Sequence, residues 1–111
     1  MLTNPPLTYR VADRGLLHNV MNEVLNGFAL ENFEIVIGMK EAEVRQLLAC
    51  LGELSDNTEL DLDLTQLVAF RNALRETLRE LGREEFCSRT GYDFETGEEA
   101  MKLLNDLIAT N

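Results

Sequence analysis

Apolar residues recur at three- and four-residue steps along several stretches of the chain, the period of an α-helix with one buried side. The first stretch runs through Leu17, Val20, Met21, Val24, Leu25 and Phe28, with Asp13 placed as its N-cap and Asn26-Gly27 as its end. A second, from Lys40 to Glu53, turns Val44, Leu47, Leu48 and Leu51 inward, and Gly52 predicts a frayed last turn. The third opens at Asp63-Leu64-Thr65-Gln66, a capping box flanked by Leu62 and Leu67 as a hydrophobic staple. It continues with Phe70, Leu74, Leu78 and Leu81 inward as far as Gly82. A short helix and turn follow at Glu84 to Tyr92, then a last helix from Glu98 to Ala109.

Phe33-Glu34-Ile35-Val36-Ile37 admits two readings. Its β-branched residues suit a strand, whereas Phe33 and Ile37 at i,i+4 suit a short helix. Residues 1 to 9 hold both prolines and read as an extended arm, and 53 to 63 hold five acids and no base around the turn formers Ser55-Asp56-Asn57. The latter reads as an acidic linker at the midpoint.

The two sides of that linker resemble each other. At an offset of 53, Asn19 meets Asn72, Glu23 meets Glu76, Leu25 meets Leu78, Glu31 meets Glu84, Phe33 meets Phe86 and Gly38 meets Gly91. Three extra residues after Tyr92 then bring Glu43, Leu47, Leu48 and Leu51 onto Glu99, Leu103, Leu104 and Leu107. We therefore expect an internal duplication of helix–short helix–helix units, about 9–53 and 64–109, facing each other across a pseudo-two-fold axis in a single domain, 1–111. Because Glu84 to Tyr92 reads as helix, the match favours helix at 33–37 over a strand. The expected fold is all-α, with α+β carrying a short strand at 33–37 as the alternative. Phe33 and Phe86 should both be buried, and Gly38 and Gly91 should occupy equivalent turns.

A chain of 111 residues is long enough for one core, burying roughly 65% of its unfolded surface without staples. Ten Lys and Arg against twenty acids leave a formal charge of −10. That field repels phosphate backbones and anionic lipid, which argues against nucleic acid and membrane partners and favours cations or basic proteins. Cys50 and Cys87 form no C-x-x-C pair and read as reduced thiols. The first residues lack the basic and apolar regions of a signal peptide, and no apolar run reaches the roughly 20 residues of a membrane span, so a cytoplasmic protein is expected.

Catalytic patterns are missing. The sequence has no phosphate-cradling glycine loop and no nucleophile elbow, and His18 is its single histidine. No enzyme and no cofactor are expected. Two acid-rich stretches, Asp56 to Asp63 and Asp93 to Glu99, suit calcium by composition, yet neither has the ligand spacing of an EF-hand loop. Arg71, Arg75, Arg79 and Arg83 make an i,i+4 ridge beside Glu76, Glu80 and Glu84, with Glu76–Arg79 and Glu80–Arg83 spaced to pair as a solvated, ion-laced face. The stretch from Gly38 to Leu48 resembles the turn and second helix of a helix-turn-helix, with Met39, Val44 and Leu48 at its packing positions. The resemblance covers about 20 residues from Phe33, and Glu34 stands where that motif prefers a small residue. Its would-be reading helix exposes Glu41 and Glu43, a poor match for phosphate.

The repeated polar pair is the most informative. Asn19 and Glu23 lie nearly opposite the apolar side of the first helix, as Asn72 and Glu76 do on the third. These four residues are the expected partner-binding positions, exposed and either facing a partner or joining the two copies. The leading function is a small, acidic, non-catalytic interaction or regulatory module, an inhibitor- or immunity-type binder of a protein with a basic surface, with self-association as the other partner reading. A calcium-binding protein and a helix-turn-helix DNA-binding regulator are the alternatives.

Overall fold

In the computed structural model, which describes residues 9–11, 14–52 and 60–110, the chain runs β1 (Tyr9–Val11), α1 (Arg14–Asn22) continuing into a π-helical turn (Glu23–Gly27), α2 (Phe33–Ile37), α3 (Glu41–Gly52), β2 (Leu60–Leu62), α4 (Leu64–Thr90) and α5 (Phe94–Ala109). The all-α reading holds, and the strand alternative at 33–37 falls. There the N–H of Val36 donates to Asn32 O at 3.0 Å and that of Gly38 to Glu34 O at 2.9 Å. The burial pattern agrees: Ile37 is buried, Phe33 and Val36 are half-buried, and Ile35 points out, whereas a strand would have put 33, 35 and 37 on one face.

β1 and β2 pair antiparallel, Tyr9 opposite Leu62 and Val11 opposite Leu60. The last residues of the expected linker are thus a strand, and the end of the proline arm is its partner. The rest of that arm (1–8), the expected cap Asp13 and the linker stretch 53–59 lie outside the described residues.

Local chemistry sets the boundaries of α4 and α5. Asp63 Oδ1 accepts from the N–H of Gln66 at 2.8 Å, while Gln66 Oε1 accepts from that of Asp63 at 3.1 Å, so the capping box is formed. Leu62 and Leu67, the expected staple, are both buried. Gly82, with φ 71° and ψ −176°, interrupts α4, which separates the long helix from the short one as expected. The last helix begins at Phe94 and not at Glu98. Asp93 is its N-cap, accepting from the N–H and the hydroxyl of Thr96 at 2.9 and 2.6 Å, and these bonds hold the Asp93 carboxyl below its ordinary pKa. Gly97, which reads as a loop residue, lies within this helix, and it is glycine because a Cβ there would come within 2.8 Å of Leu78 and 2.9 Å of Phe86.

α4 packs against α1, the π-turn, α2, α5 and β2. Against it α1 places Leu16, Leu17, Val20 and Met21 and the π-turn Val24, while α4 contributes Leu67, Ala69, Phe70, Ala73 and Leu74, all buried in one core. Large side chains on one helix and alanines on the other keep the packing dense as the two approach. Phe86 is fully buried and meets Phe94 edge to face at 6.0 Å, whereas Phe33, expected to match it, is only half-buried. Gly38 (φ 97°) and Gly91 (φ 81°) do occupy matching left-handed positions after α2 and α4.

Phe86→Ala should destabilise the protein by roughly 3–5 kcal/mol, the usual loss for a buried ring. Arg75→Ala, at a side chain 44% exposed, should stay within about half a kcal/mol. Urea denaturation midpoints of the two variants measure the difference.

Candidate functional site

Of the four residues expected to face a partner, Asn19, Glu23 and Asn72 reach across the seam between the two parts of the chain. Glu23, Asn72 and Glu76 are buried and Asn19 is half-buried, so the expectation of exposure is overturned. The physical reason is that α1 and α4 are covered on more than their apolar sides, so a position opposite the apolar stripe still meets protein.

Each asparagine holds the end of a short helix from the other part of the chain. Asn19 Nδ2, on α1, donates to Thr90 O at 2.7 Å, and Asn72 Nδ2, on α4, donates to Ile37 O at 2.8 Å. Ile37 and Thr90 are the last residues of α2 and α4, each followed by its left-handed glycine. Carbonyls at helix C-termini lack intrahelical partners, and one enclosed without a donor is costly. The asparagine amides supply the donors. The two asparagines are 53 apart, and so are the two carbonyls they cap.

The two glutamates are anchored differently. Glu23 opens the π-helical turn, where Arg89 Nε lies 2.8 Å from its Oε1. That oxygen accepts no directed hydrogen bond, so the contact is an ion pair of imperfect alignment. Arg89 Nη2 also donates to Gly27 O at 2.9 Å, tying the C-terminal part of α4 to the end of the turn. A Cβ on Gly27 would stand inside contact distance of Glu23 Oε1 and 2.8 Å from Arg89 Nη2, which explains the glycine. Glu76 instead pairs within its own helix, with Arg75 at 3.1 Å and Arg79 at 2.5 Å.

The arginine ridge is occupied accordingly. Glu76–Arg79 forms as spaced, but Gly82 breaks the helix between Glu80 and Arg83, and Arg83 pairs with Glu95 on α5 while stacking 5.0 Å from the Phe94 ring centroid. Arg71 donates to Asn72 Oδ1 at 2.8 Å and Asn105 Oδ1 at 2.9 Å. A cleft of about 370 Å³ opens beside this ridge, lined by Arg75, Leu78, Arg79, Phe94, Glu98 and Met101. A second, of about 270 Å³, lies against Met39, Glu43, Gln46, Leu47, Cys50 and Gln66.

The remaining candidates have ordinary surroundings. His18 Nδ1 sits 3.2 Å from Asn19 Oδ1, and both cysteines are free and exposed. Among the described residues no three His, Cys, Asp or Glu side chains converge as metal ligands, and no helix is long and apolar enough to cross a membrane. Of the two acid-rich stretches, 93–99 is the cap and first turns of α5, while most of 56–63 lies outside the described residues. α2, Gly38 and α3 do form helix, turn and helix, with Met39 and Val44 buried and Leu48 half-buried. The outer face of α3 carries Glu41 and Glu43, and Arg45 is bound to Glu41 at 3.0 Å. One feature escaped sequence reasoning: Ile35 is 83% exposed, more than Leu103 (65%), Leu64 (42%) or Leu107 (38%). The helical reading of 33–37 was the signal that could have found it.

Asn72→Ala should lower stability by about 1–3 kcal/mol, because it strands the Ile37 carbonyl. Asn72→Asp should be worse than alanine, since it sets an anion against that carbonyl at a negative helix end. Chemical denaturation of both variants tests the order. Glu23→Lys should cost about 3 kcal/mol, the low end for breaking a buried pair because Arg89 reaches water. Gly27→Ala should likewise lower the thermal midpoint by forcing Glu23 and Arg89 apart.

No family model matches this chain, and no curated protein or solved structure is significantly similar to it, so the reading of its function rests on its own residues.

Proposed function

We propose that this chain is a non-catalytic interaction module of the inhibitor or immunity type, which engages a protein with a basic surface through its acidic exterior. One observation carries the reading. Of the acids whose burial is described, only Glu23 and Glu76 are buried; the others, from Glu31 to Asp106, face solvent. Several exposed arginines are meanwhile held against carboxylates: Arg45, Arg75, Arg79, Arg83 and Arg89. The field outside the molecule is therefore negative, and such a field accelerates encounter with a cationic surface and disfavours phosphate.

The same reading includes an internal duplication. It is supported by the paired asparagine–carbonyl bonds at a spacing of 53 and by the two left-handed glycines that follow the capped carbonyls. In a duplicated module each copy finishes the other's short helix, and the contact surface is left to the exterior.

The test is to recover the partner on the full chain from its native host, identify it and measure association by stopped flow. For a basic partner the association rate should fall several-fold as ionic strength rises from about 0.01 to 0.15 M, where the Debye length shrinks from about 30 to 8 Å. Calorimetric titrations with calcium and with duplex DNA should give no saturable heat at the higher salt. Saturable calcium binding, salt-sensitive DNA binding, or a chain that only pairs with itself would overturn the proposal.

A further inference from the structure

We infer that Ile35 is the apolar anchor of this interaction surface, a knob on α2 that seats in an apolar socket with a basic rim on the partner protein. The inference rests on the reading of the chain as an acidic binder and names where that binder makes its central contact.

Four observations converge on the site. Ile35 is 83% exposed, although the other apolar residues of its short helix turn inward: Phe33 and Val36 pack against the core and Ile37 is fully buried. Packing does not account for an isoleucine there. The matching place in the other part of the chain, three residues before Gly91, is the exposed Ser88, so the same local structure is built without an apolar side chain. Helix propensity does not account for it either, because isoleucine is no better than average in helices.

The knob is also held rigidly. α2 is tied at its end by the Asn72 bond to Ile37 O, ahead of the left-handed Gly38, and on its inner side by the buried Ile37. Anchors fixed before binding lose little entropy on docking, and residues of that kind dominate binding energy. The charge on α2 and the residues leading into it is acidic. Residues 29–38 carry Glu31 and Glu34, both exposed, and no base. An apolar centre with an acidic rim is complementary to an apolar socket with a basic rim. Leu103 and Leu107 stand on α5 beside the base Lys102, and Leu64, also among acids, is only 42% exposed. The α4–α5 cleft is walled by arginines already engaged with Glu76.

Site-specific photo-crosslinking in host cells tests the placement. A benzoylphenylalanine probe is introduced into the full chain in place of Ile35, Ser88 or Leu103, one position at a time. An adduct with a basic protein is expected at 35 and not at 88. That protein is then purified, and its affinity is measured for the wild type, Ile35→Ser and the double variant Glu31→Gln, Glu34→Gln. Ile35→Ser should weaken binding at least tenfold with an unchanged melting temperature, since the side chain is outside the core. The double variant should chiefly slow association and flatten its salt dependence. No adduct at 35, or wild-type affinity in Ile35→Ser with salt-sensitive association retained, overturns the anchor and leaves the acidic-binder reading standing. A partner that is not basic, or whose association ignores salt, overturns both.

Discussion

A helix that ends inside a protein leaves carbonyls facing no donor, and this chain must end two short helices against its own interior. Everything at the seam follows from that constraint. Asn19 and Asn72 satisfy the carbonyls of Thr90 and Ile37, and each does so across the divide between the two parts of the chain. Neither part therefore has a fully paired backbone without the other. The bonds also fix the relative placement of the parts, because a side-chain amide reaches a carbonyl only over a narrow range of position and angle. Burial of Leu16, Leu17, Met21, Phe70 and Leu74 drives the association, and the amides choose its geometry.

The glutamates one turn further along tell a less symmetrical story. Glu76 is neutralised by arginines of its own helix, so its cost of burial is met locally. Glu23 relies on Arg89 from α4, and the same arginine holds the carbonyl of Gly27. The widened helical turn from Glu23 to Gly27 is where that guanidinium reaches the backbone, and the glycine leaves it room. Similar residues thus serve unlike roles, because their neighbours differ.

Much of the fold was legible in the sequence. Periodicity located α1, α3 and the first part of α4, and the capping chemistry at Asp63 set a boundary to the residue. The start of α5 was hidden because Phe94-Glu95-Thr96-Gly97 has the composition of a loop; the Asp93 cap begins the helix, and the closeness of Leu78 and Phe86 accounts for a glycine in its first turns. The ribbon of β1 and β2 was hidden because three residues on each side are too few to show a period. The site was half legible. The repetition of Asn19, Glu23, Asn72 and Glu76 marked them as special, but a single helix seen alone suggests a wet side that α4, packed by five other elements, does not have. Polar residues opposite an apolar stripe were read as solvent-facing when they faced other backbone. Ile35 was missed for the converse reason: an isoleucine in an apolar run is assumed to be core.

The pairing of Tyr9–Val11 with Leu60–Leu62 joins chain segments separated by the whole of α1, α2 and α3. A three-residue ribbon is marginal by itself, and the entropy of closing so long a loop weighs against it. The pairing therefore depends on the packed helices that bring the two segments together, and the ribbon is a clasp across them. Once shut, it holds the entry to α1 beside the entry to α4, so the helices that carry Asn19 and Asn72 start from a common point.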